Sequence, residues 1–376
     1  MAVHTIVCGG TGGHLTPGIA VAERLLERSE VPILVLSRKA VDQRLAAKYG
    51  RLRFVSAPGV APSIRPLRML GFVWQLLAAL HFAHRHLGRE QPATLLAFGG
   101  YLSFAFVIAA RLHGIPVYIH EANRRPGRVV RLCARLARRV YLPDGVRLAS
   151  APPPEARSLG MPLRRELVHM PRDVVRREAG LRLHDKVLLV LGGSQGAAVL
   201  NKWVDQHAAA LAADGIHVIC VTGPGQGDGE GLETHLSYLD EEITVRRMPF
   251  CSTMASLYSC ADLVVSRAGA GTMAELAACA CPSILIPYPF AADNHQQANA
   301  RYLEQRGGCL LLEQNKLADL RGEVKELIFN DWLLARMREN LRRLGGGDCA
   351  DAIARELVAD ARAQAAAGNA GKEVAV

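Results

Sequence analysis

Thr5-Ile6-Val7-Cys8-Gly9-Gly10-Thr11-Gly12-Gly13-His14, near the start, and Val187-Leu188-Leu189-Val190-Leu191-Gly192-Gly193-Ser194-Gln195-Gly196-Ala197, near the middle, carry one pattern twice. A short aliphatic run ends in a glycine-rich loop, and a helical pattern follows. This is the first strand-to-helix turn of a doubly wound parallel sheet. There the loop and the helix N-terminus turn backbone N–H groups and a positive dipole end toward a crevice. Working outward from the first loop, Ile33-Leu34-Val35-Leu36, Leu95-Leu96-Ala97-Phe98 and Val117-Tyr118-Ile119-His120 read as buried parallel strands. Amphipathic stretches such as 19–28 and 104–112 lie between them. Around the second loop, Val218-Ile219-Cys220-Val221, Leu263-Val264-Val265 and Ser283-Ile284-Leu285-Ile286 repeat the scheme. The reading is α/β, with two Rossmann-like domains whose facing loops make a cleft for a ligand.

The seam is expected near Ser150-Ala151-Pro152-Pro153-Pro154, which continues neither strand nor helix, with Gly160-Met161-Pro162 marking the crossing. The expected domains are 1–158 and 159–345. A C-terminal helix over 346–376 would pack back on the first domain, and its alanine-rich tail from about Ala363 reads as frayed.

A chain of 376 residues, half apolar and 21% charged, has the balance of two globular domains. Its nine cysteines are scattered with no C-x-x-C pair, which argues against a zinc ribbon or disulfide framework and for a reducing compartment. The N-terminus lacks the features of a signal peptide, and the apolar stretch 70–82 is interrupted by Gln75 and His81, so a cytoplasmic protein without a membrane span is expected. Charge is uneven. Residues 1–163 hold 22 Lys and Arg against 8 Asp and Glu, and the rest hold 23 against 27. The first half therefore suits an anionic partner: nucleic acid, an acidic membrane or a phosphorylated substrate.

Neither glycine loop fits the common fingerprints. A dinucleotide loop needs a third glycine where Leu15 stands, and Ser37-Arg38 offers no acid for a ribose. Neither loop carries Gly-Lys-Ser/Thr of a P-loop. Gly192-Gly193-Ser194-Gln195-Gly196 satisfies a hydrolase G-x-S-x-G, and Asp262 and His295 follow in triad order, but that reading leaves the first domain without a role.

Ser266-Arg267-Ala268-Gly269-Ala270-Gly271-Thr272-Met273-Ala274-Glu275 follows another buried strand, with glycines that admit a phosphate and a helix beginning near Thr272. Glu275, one turn in, suits a ribose diol, although Thr272-x-x-Glu275 is equally a capping box. Pro287-Tyr288-Pro289-Phe290-Ala291-Ala292-Asp293-Asn294-His295-Gln296-Gln297 ends in amides that both donate and accept, as sugar hydroxyls require.

Together these motifs resemble the MurG family. Gly9–His14 followed by Leu15-Thr16-Pro17-Gly18, Phe98-Gly99-Gly100-Tyr101, His120-Glu121-Ala122-Asn123, Gly192–Ala197, Arg267-Ala268-Gly269-Ala270 and Gln296-Gln297 match in order and spacing over roughly residues 3–345. The resemblance implies the GT-B fold and transfer of N-acetylglucosamine from UDP-GlcNAc, a co-substrate, to undecaprenyl-diphospho-muramoyl-pentapeptide (lipid I), forming lipid II of peptidoglycan. It places uracil near Phe250-Cys251 and the diphosphate on Ser194, Arg164 and Ala270-Gly271-Thr272, with Met273 and Ala274 alongside. Glu275 would hold the ribose, Gln296 and Gln297 the GlcNAc hydroxyls, and Thr11, Gly12, Gly13 and Asn123 would complete the donor pocket. The chain departs from the family at Met161 (usually Asn), at Ala122 (usually Gln) and at Leu102-Ser103-Phe104-Ala105 (usually Val-Ser-Gly-Pro).

Transfer to a hydroxyl needs a base and a stabilised leaving group. The sequence has no Asp-x-Asp, so no metal held by that motif and no cofactor is expected. His14 is the candidate base for the muramoyl 4-hydroxyl and Glu121 the reserve, in a single displacement that inverts the donor. The lipid acceptor places the enzyme on the cytoplasmic leaflet. Arg65, Arg68, Leu70, Phe72 and Trp74, with Tyr101 nearby, have the basic, aromatic and aliphatic mixture of an interfacial helix, although a buried helix is the plain alternative. A basic run from Arg124 to Arg139 offers a second contact for headgroups or the acceptor diphosphate. The competing readings are another UDP-sugar GT-B transferase, a UDP-GlcNAc epimerase and a basic nucleic-acid binder. The last lacks any reader motif, so no nucleic acid is expected.

Overall fold

A strand covered on both faces has no place for polar side chains, and the continuous aliphatic runs of the sequence occupy such strands in two parallel sheets. The computed structural model describes residues 1–9, 12–38, 43, 45–59, 66–148, 155–192, 197–223, 229–345 and 347–373. The chain divides into two compact units. Unit 1 is Met1–Ala122, Pro126–Arg164 and Asp348–Val376, and unit 2 is Asn123–Arg125 and Arg165–Gly347. The main division thus falls after Arg164, where the sequence reading placed it after 158. The proline cluster 150–154 lies outside the described residues.

Unit 1 has strands β1 (Val3–Val7), β2 (Val31–Ser37), β3 (Arg53–Ala57), β4 (Thr94–Ala97), β5 (Val117–His120), β6 (Arg139–Leu142) and β7 (Glu155–Ser158). They lie in the order β3-β2-β1-β4-β5-β6-β7, all parallel. Helices α1 (Gly12–Glu27), α2 (Pro66–Glu90), α3 (Gly100–Leu112) and α4 (Arg128–Cys133) connect them. Two glycines set close approaches. A Cβ on Gly9 would sit 2.4 Å from Ser37 N, and one on Gly18 would sit 2.8 Å from Cys8 Cβ. The first lets β1 end against β2, and the second lets α1 lie on β1.

The C-terminal helix (Cys349–Glu373) belongs to unit 1. Ala350, Ile353, Ala354, Leu357 and Val358 join Ile19 and Leu25 in one core. Arg24 bonds Asp348 at 2.6 Å and Arg28 bonds Asp351 at 2.6 Å. Arg139 meets Glu356 at 2.9 Å and Asp360 at 3.3 Å, Tyr141 Oη donates to Glu356, and Tyr118 Oη donates to Asp360. The tail read as frayed from Ala363 instead continues as helix to Glu373, because alanine has the highest helix propensity. The basic run 124–139 is likewise not one surface. Arg139 is a buried strand residue neutralised by Glu155, Glu356 and Asp360.

Unit 2 has strands β8 (Lys186–Leu191), β9 (Ile216–Val221), β10 (Gly231–Leu236), β11 (Glu242–Met248), β12 (Leu263–Ser266), β13 (Ser283–Leu285) and β14 (Cys309–Leu311). Their order is β10-β11-β9-β8-β12-β13-β14, with β10 antiparallel to β11 and the other pairs parallel. The helices are α5 (Arg172–Glu178), α6 (Ala198–Ala213), α7 (Met254–Cys260), α8 (Ala270–Ala278), α9 (His295–Glu304), α10 (Leu320–Ile328) and α11 (Asp331–Leu344). Arg176 of α5 is buried to 1% and meets Asp262 at 2.7 Å, while its other donors bond the carbonyls of Cys260, Leu183 and Asp185. A buried cation needs this saturation.

Candidate functional site

In an open α/β sheet the loops part where the strand order reverses, and ligands bind beyond the carboxyl ends of the strands there. In unit 1 that point lies between β1 and β4. The loop after β1 leads into α1, whose first turn carries Gly12, Gly13 and His14 and no acidic residue. The loop after β4 is Gly99-Gly100, with φ of 92° and 80°. Both values suit glycine because a side chain there is strained. Cβ atoms on Gly99 and Gly100 would lie 3.9 and 3.7 Å from the His14 ring, so the half-buried imidazole rests on this turn. Ser103 Oγ fixes the turn by donating to Gly99 O at 2.6 Å. Thr11 lies outside the described residues.

Behind His14 stands a second histidine. His120 is buried, its ring centroid is 5.3 Å from that of Phe98, and its Nε2 bonds Gly160 O at 3.0 Å. Burial pushes its pKa down to about 4, against the Gly160 carbonyl, and the neighbouring His14 lowers it further. His120 is therefore neutral near pH 7. Sequence reading quoted it within a motif without giving it a role; its place at the end of a central strand was the available signal. Glu121, the reserve base, is also buried, and its Oε2 accepts from Gly127 N at 2.7 Å. That carboxylate anchors the turn into α4. Arg164, expected in the second domain, belongs to unit 1 and donates from Nη1 to Tyr49 Oη at 3.0 Å.

The family departures at Phe104 and Ala105 face inward. Ala105 is 1% exposed in the unit 1 core and Phe104 packs against that core.

α2 is only partly buried. Ala79, Ala83 and Leu87 enter the core, while Leu70, Val73, Trp74 and Leu77 are 75%, 47%, 74% and 54% exposed. Their spacing puts them on one face of the helix. Phe72, expected on that face, instead meets Tyr101 edge-on with centroids 5.4 Å apart. Arg65 and the side chain of Arg68 lie outside the described residues. No helix among the described residues is long and apolar enough to cross a membrane.

In unit 2 the strand order reverses between β8 and β12. Of the loop after β8, Ser194 lies outside the described residues. The loop after β12 ends at Gly269, the N-cap of α8, which makes no side-chain cap. The first N–H groups of α8, including those of Ala270, Gly271 and Thr272, thus lack a side-chain acceptor at the N-cap, the arrangement that receives phosphate. Because α8 starts at Ala270, Thr272 is the third helical residue rather than the cap, and the capping-box reading fails. Glu275 Oε2 accepts from Tyr258 Oη at 2.8 Å. Tyr258 is held protonated, its pKa raised well above the ordinary value by burial and then by Glu275. Met273 points into the core, and Ala274 is half-buried.

The segment after β13 is held from beneath. Arg267 donates to Ile286 O at 3.1 Å and to Gln314 Oε1 at 2.7 Å, and its guanidinium lies over the Tyr288 ring. Gln296 Oε1 accepts from Tyr288 N at 2.9 Å, which fixes that amide with its NH2 as the remaining donor group. Gln297, next on α9, is half-buried. Asp293 and Asn294 enter α9 with φ of 52° and 51°. Such left-handed residues outside glycine are uncommon and gather at functional turns. Cys251 is half-buried, its Sγ 3.7 Å from Thr253 Oγ1.

A residue that sequence reading passed over ties this region together. Asn299 of α9 is 1% exposed; its Nδ2 donates to Ala268 O and to Asn123 Oδ1, and its Oδ1 accepts from Arg124 N. Nothing in the sequence distinguishes it from other helical asparagines. The two described members of the hydrolase triad, by contrast, are engaged elsewhere. Asp262 is engaged by Arg172, Arg176 and Val187 N, and His295 Nδ1 bonds Ala292 O.

Comparison with known proteins agrees with this layout. Residues 4–142 match the glycosyltransferase family 28 N-terminal domain and residues 187–352 its C-terminal domain. A relative from Opitutus terrae is 45% identical over 376 residues, all of both chains. One from Xylella fastidiosa is 37% identical over 93% of this chain and 94% of its own. Both are named UDP-N-acetylglucosamine–N-acetylmuramyl-(pentapeptide) pyrophosphoryl-undecaprenol N-acetylglucosamine transferase. Among solved structures, Acinetobacter baumannii MurG superposes with a TM-score of 0.70 at 25% identity, covering 94% of this chain and 98% of that one. The two-domain fold is GT-B.

Proposed function

The chain belongs to the MurG family, within glycosyltransferase family 28, and from that membership we propose its reaction. It transfers N-acetylglucosamine from UDP-GlcNAc to the muramoyl 4-hydroxyl of lipid I, making lipid II for peptidoglycan. Unit 2 is the donor domain and unit 1 the acceptor and membrane domain. The observation that carries the reading at the level of the site is α8: its first turn has no side-chain cap, and Glu275 follows within a turn.

In the proposed mechanism His14 takes the proton of the 4-hydroxyl. The oxygen attacks the anomeric carbon, the bond from that carbon to the diphosphate breaks, and UDP leaves with the electron pair on the N-terminus of α8. Attack opposite the leaving group inverts the α-linked donor to a β-linked product. Gln296 and Gln297 orient the sugar, and Glu275 receives the ribose hydroxyls. His120, neutral beneath His14, adds no second positive charge there. We assign Glu121 to holding the loop and give the reaction no metal or cofactor. The exposed stripe Leu70, Val73, Trp74 and Leu77 supports peripheral attachment to the cytoplasmic leaflet, where the lipid acceptor resides.

UDP release from UDP-GlcNAc, with and without a lipid I analogue, tests this in the wild type and His14→Ala. Acceptor-dependent release that collapses in the variant is expected. Release that survives removes His14 from the chemistry, and release indifferent to this acceptor overturns the substrate assignment.

A further inference from the structure

Among the described residues, no strand pairs with the outer edge of the unit 2 sheet. β10 pairs with β11 through an unbroken register, from Gly231 opposite Arg247 to Leu236 opposite Glu242, and it ends the strand order. Edge strands are ordinarily guarded by proline, lysine, a bulge or a covering segment. Gly231-Leu232-Glu233-Thr234-His235-Leu236 has no proline or lysine, and its register has no bulge. It shows solvent Leu232 and Leu236, 59% and 62% exposed, and the hairpin tip beyond adds Tyr238 and Leu239 at 79% and 81%. That tip is well built. Ser237 Oγ accepts from Leu239 N and Glu241 N, and Tyr238 N donates to Ala213 O at the end of α6.

The strand is self-complementary in one antiparallel register. A twofold axis perpendicular to an antiparallel pair passes through one residue and its own copy. An axis through Glu233 would oppose two carboxylates, and one through His235 would oppose two imidazoles. An axis through Thr234 sets Leu232 against the partner's Leu236, Glu233 against the partner's His235, and the two threonines against each other. Apolar and Thr–Thr pairs are favourable classes of cross-strand neighbours, while like charges directly opposite are destabilising. Glu233 is held by Arg247 at 2.6 Å and by His235 of its own strand at 3.3 Å, so this register adds the partner's His235 to an existing polar cluster and opposes no two carboxylates.

We propose that the chain forms a twofold homodimer through β10, joining two seven-stranded sheets edge to edge with Thr234 on the axis. Sedimentation at about 100 µM chain tests it, since even a Kd of about 10 µM leaves most chains paired there. The wild type is expected at twice the 40.6 kDa of one chain. Leu232→Lys with Leu236→Lys sets lysine against lysine and returns the single-chain mass. Leu232→Lys with Leu236→Glu, which replaces the same two leucines, sets lysine against glutamate and restores the dimer. Unchanged far-UV circular dichroism certifies each variant. A wild type at the single-chain mass overturns the proposal. So does a dimer that survives the double lysine variant, or a folded Lys/Glu variant that remains monomeric.

Discussion

Glu275→Gln separates a ribose contact from a structural one. The side chain is half-buried in α8 and already accepts from Tyr258 Oη at 2.8 Å. Glutamine keeps an acceptor for that hydroxyl, so folding changes little, whereas alanine would leave the buried Tyr258 hydroxyl unpaired at a cost of about 1–3 kcal/mol. A carboxylate that receives ribose hydroxyls gives up charge-assisted bonds, each contributing about 1.5–3 kcal/mol when dry. Glu275 retains some water contact, so the lower end applies, and the KM for UDP-GlcNAc should rise roughly tenfold. The assay is UDP release with UDP-GlcNAc and with its 2′-deoxyuridine analogue. The wild type should lose about tenfold on the deoxy donor, and the variant should lose little more, because its ribose contact is already weakened. A variant KM within about twofold of wild type, or a deoxy penalty undiminished in the variant, would refute the ribose role. Glu275 would then serve the fold and not the donor.

Acid should destabilise the protein through its buried histidines. Burial pushes His4 and His120 from 6.5 down to about 4, against Glu30 in the first case and against the Gly160 carbonyl in the second. The unfolded chain therefore binds more protons between these values. Stability is full above the unfolded pKa and falls as pH drops toward 4, by about 3 kcal/mol for each group. Denaturant midpoints measured across that range check it, and His120→Asn should flatten the slope. Gly9→Ala drives a Cβ to within 2.4 Å of Ser37 N and 2.7 Å of Leu36 C. It should cost about 1–3 kcal/mol, read as a lower thermal midpoint, and a wild-type midpoint contradicts the close approach. Trp74→Ala with Leu77→Ala removes two large apolar groups from the exposed stripe of α2. Binding to anionic vesicles should weaken by at least about tenfold while turnover of a soluble acceptor analogue is kept. Equal vesicle binding would place the membrane contact elsewhere.

The strands legible in the sequence were those covered on both faces. β1, β2, β4, β5, β8, β9, β12 and β13 sit near the middle of their sheets, where burial demands an apolar run. The unread strands are bordered by different chemistry. β7 is Glu155-Ala156-Arg157-Ser158 with every residue exposed, and β10 sets three consecutive polar residues, Glu233, Thr234 and His235, between its two leucines. β6 was hidden because Arg139 looked like part of a basic surface. Of its neutralising carboxylates, Glu155 stands 16 residues on, while Glu356 and Asp360 come from a helix more than 200 residues further along the chain, outside any local window.

The same distinction runs through the site. Glycine loops are legible because a positive φ or a close backbone approach is a demand on one residue, as at Gly99 and Gly100 beside His14. Tyr258 holding Glu275, Asn299 joining Ala268 to Asn123, and His120 standing neutral behind His14 are relations between distant segments. Each is carried by a residue type with several ordinary alternatives. The groups assigned to substrate were therefore nameable from sequence, while the groups that fix their geometry and charge state were not. Substitution of those supporting residues should first change donor affinity or pH response, because the reacting groups themselves remain in place.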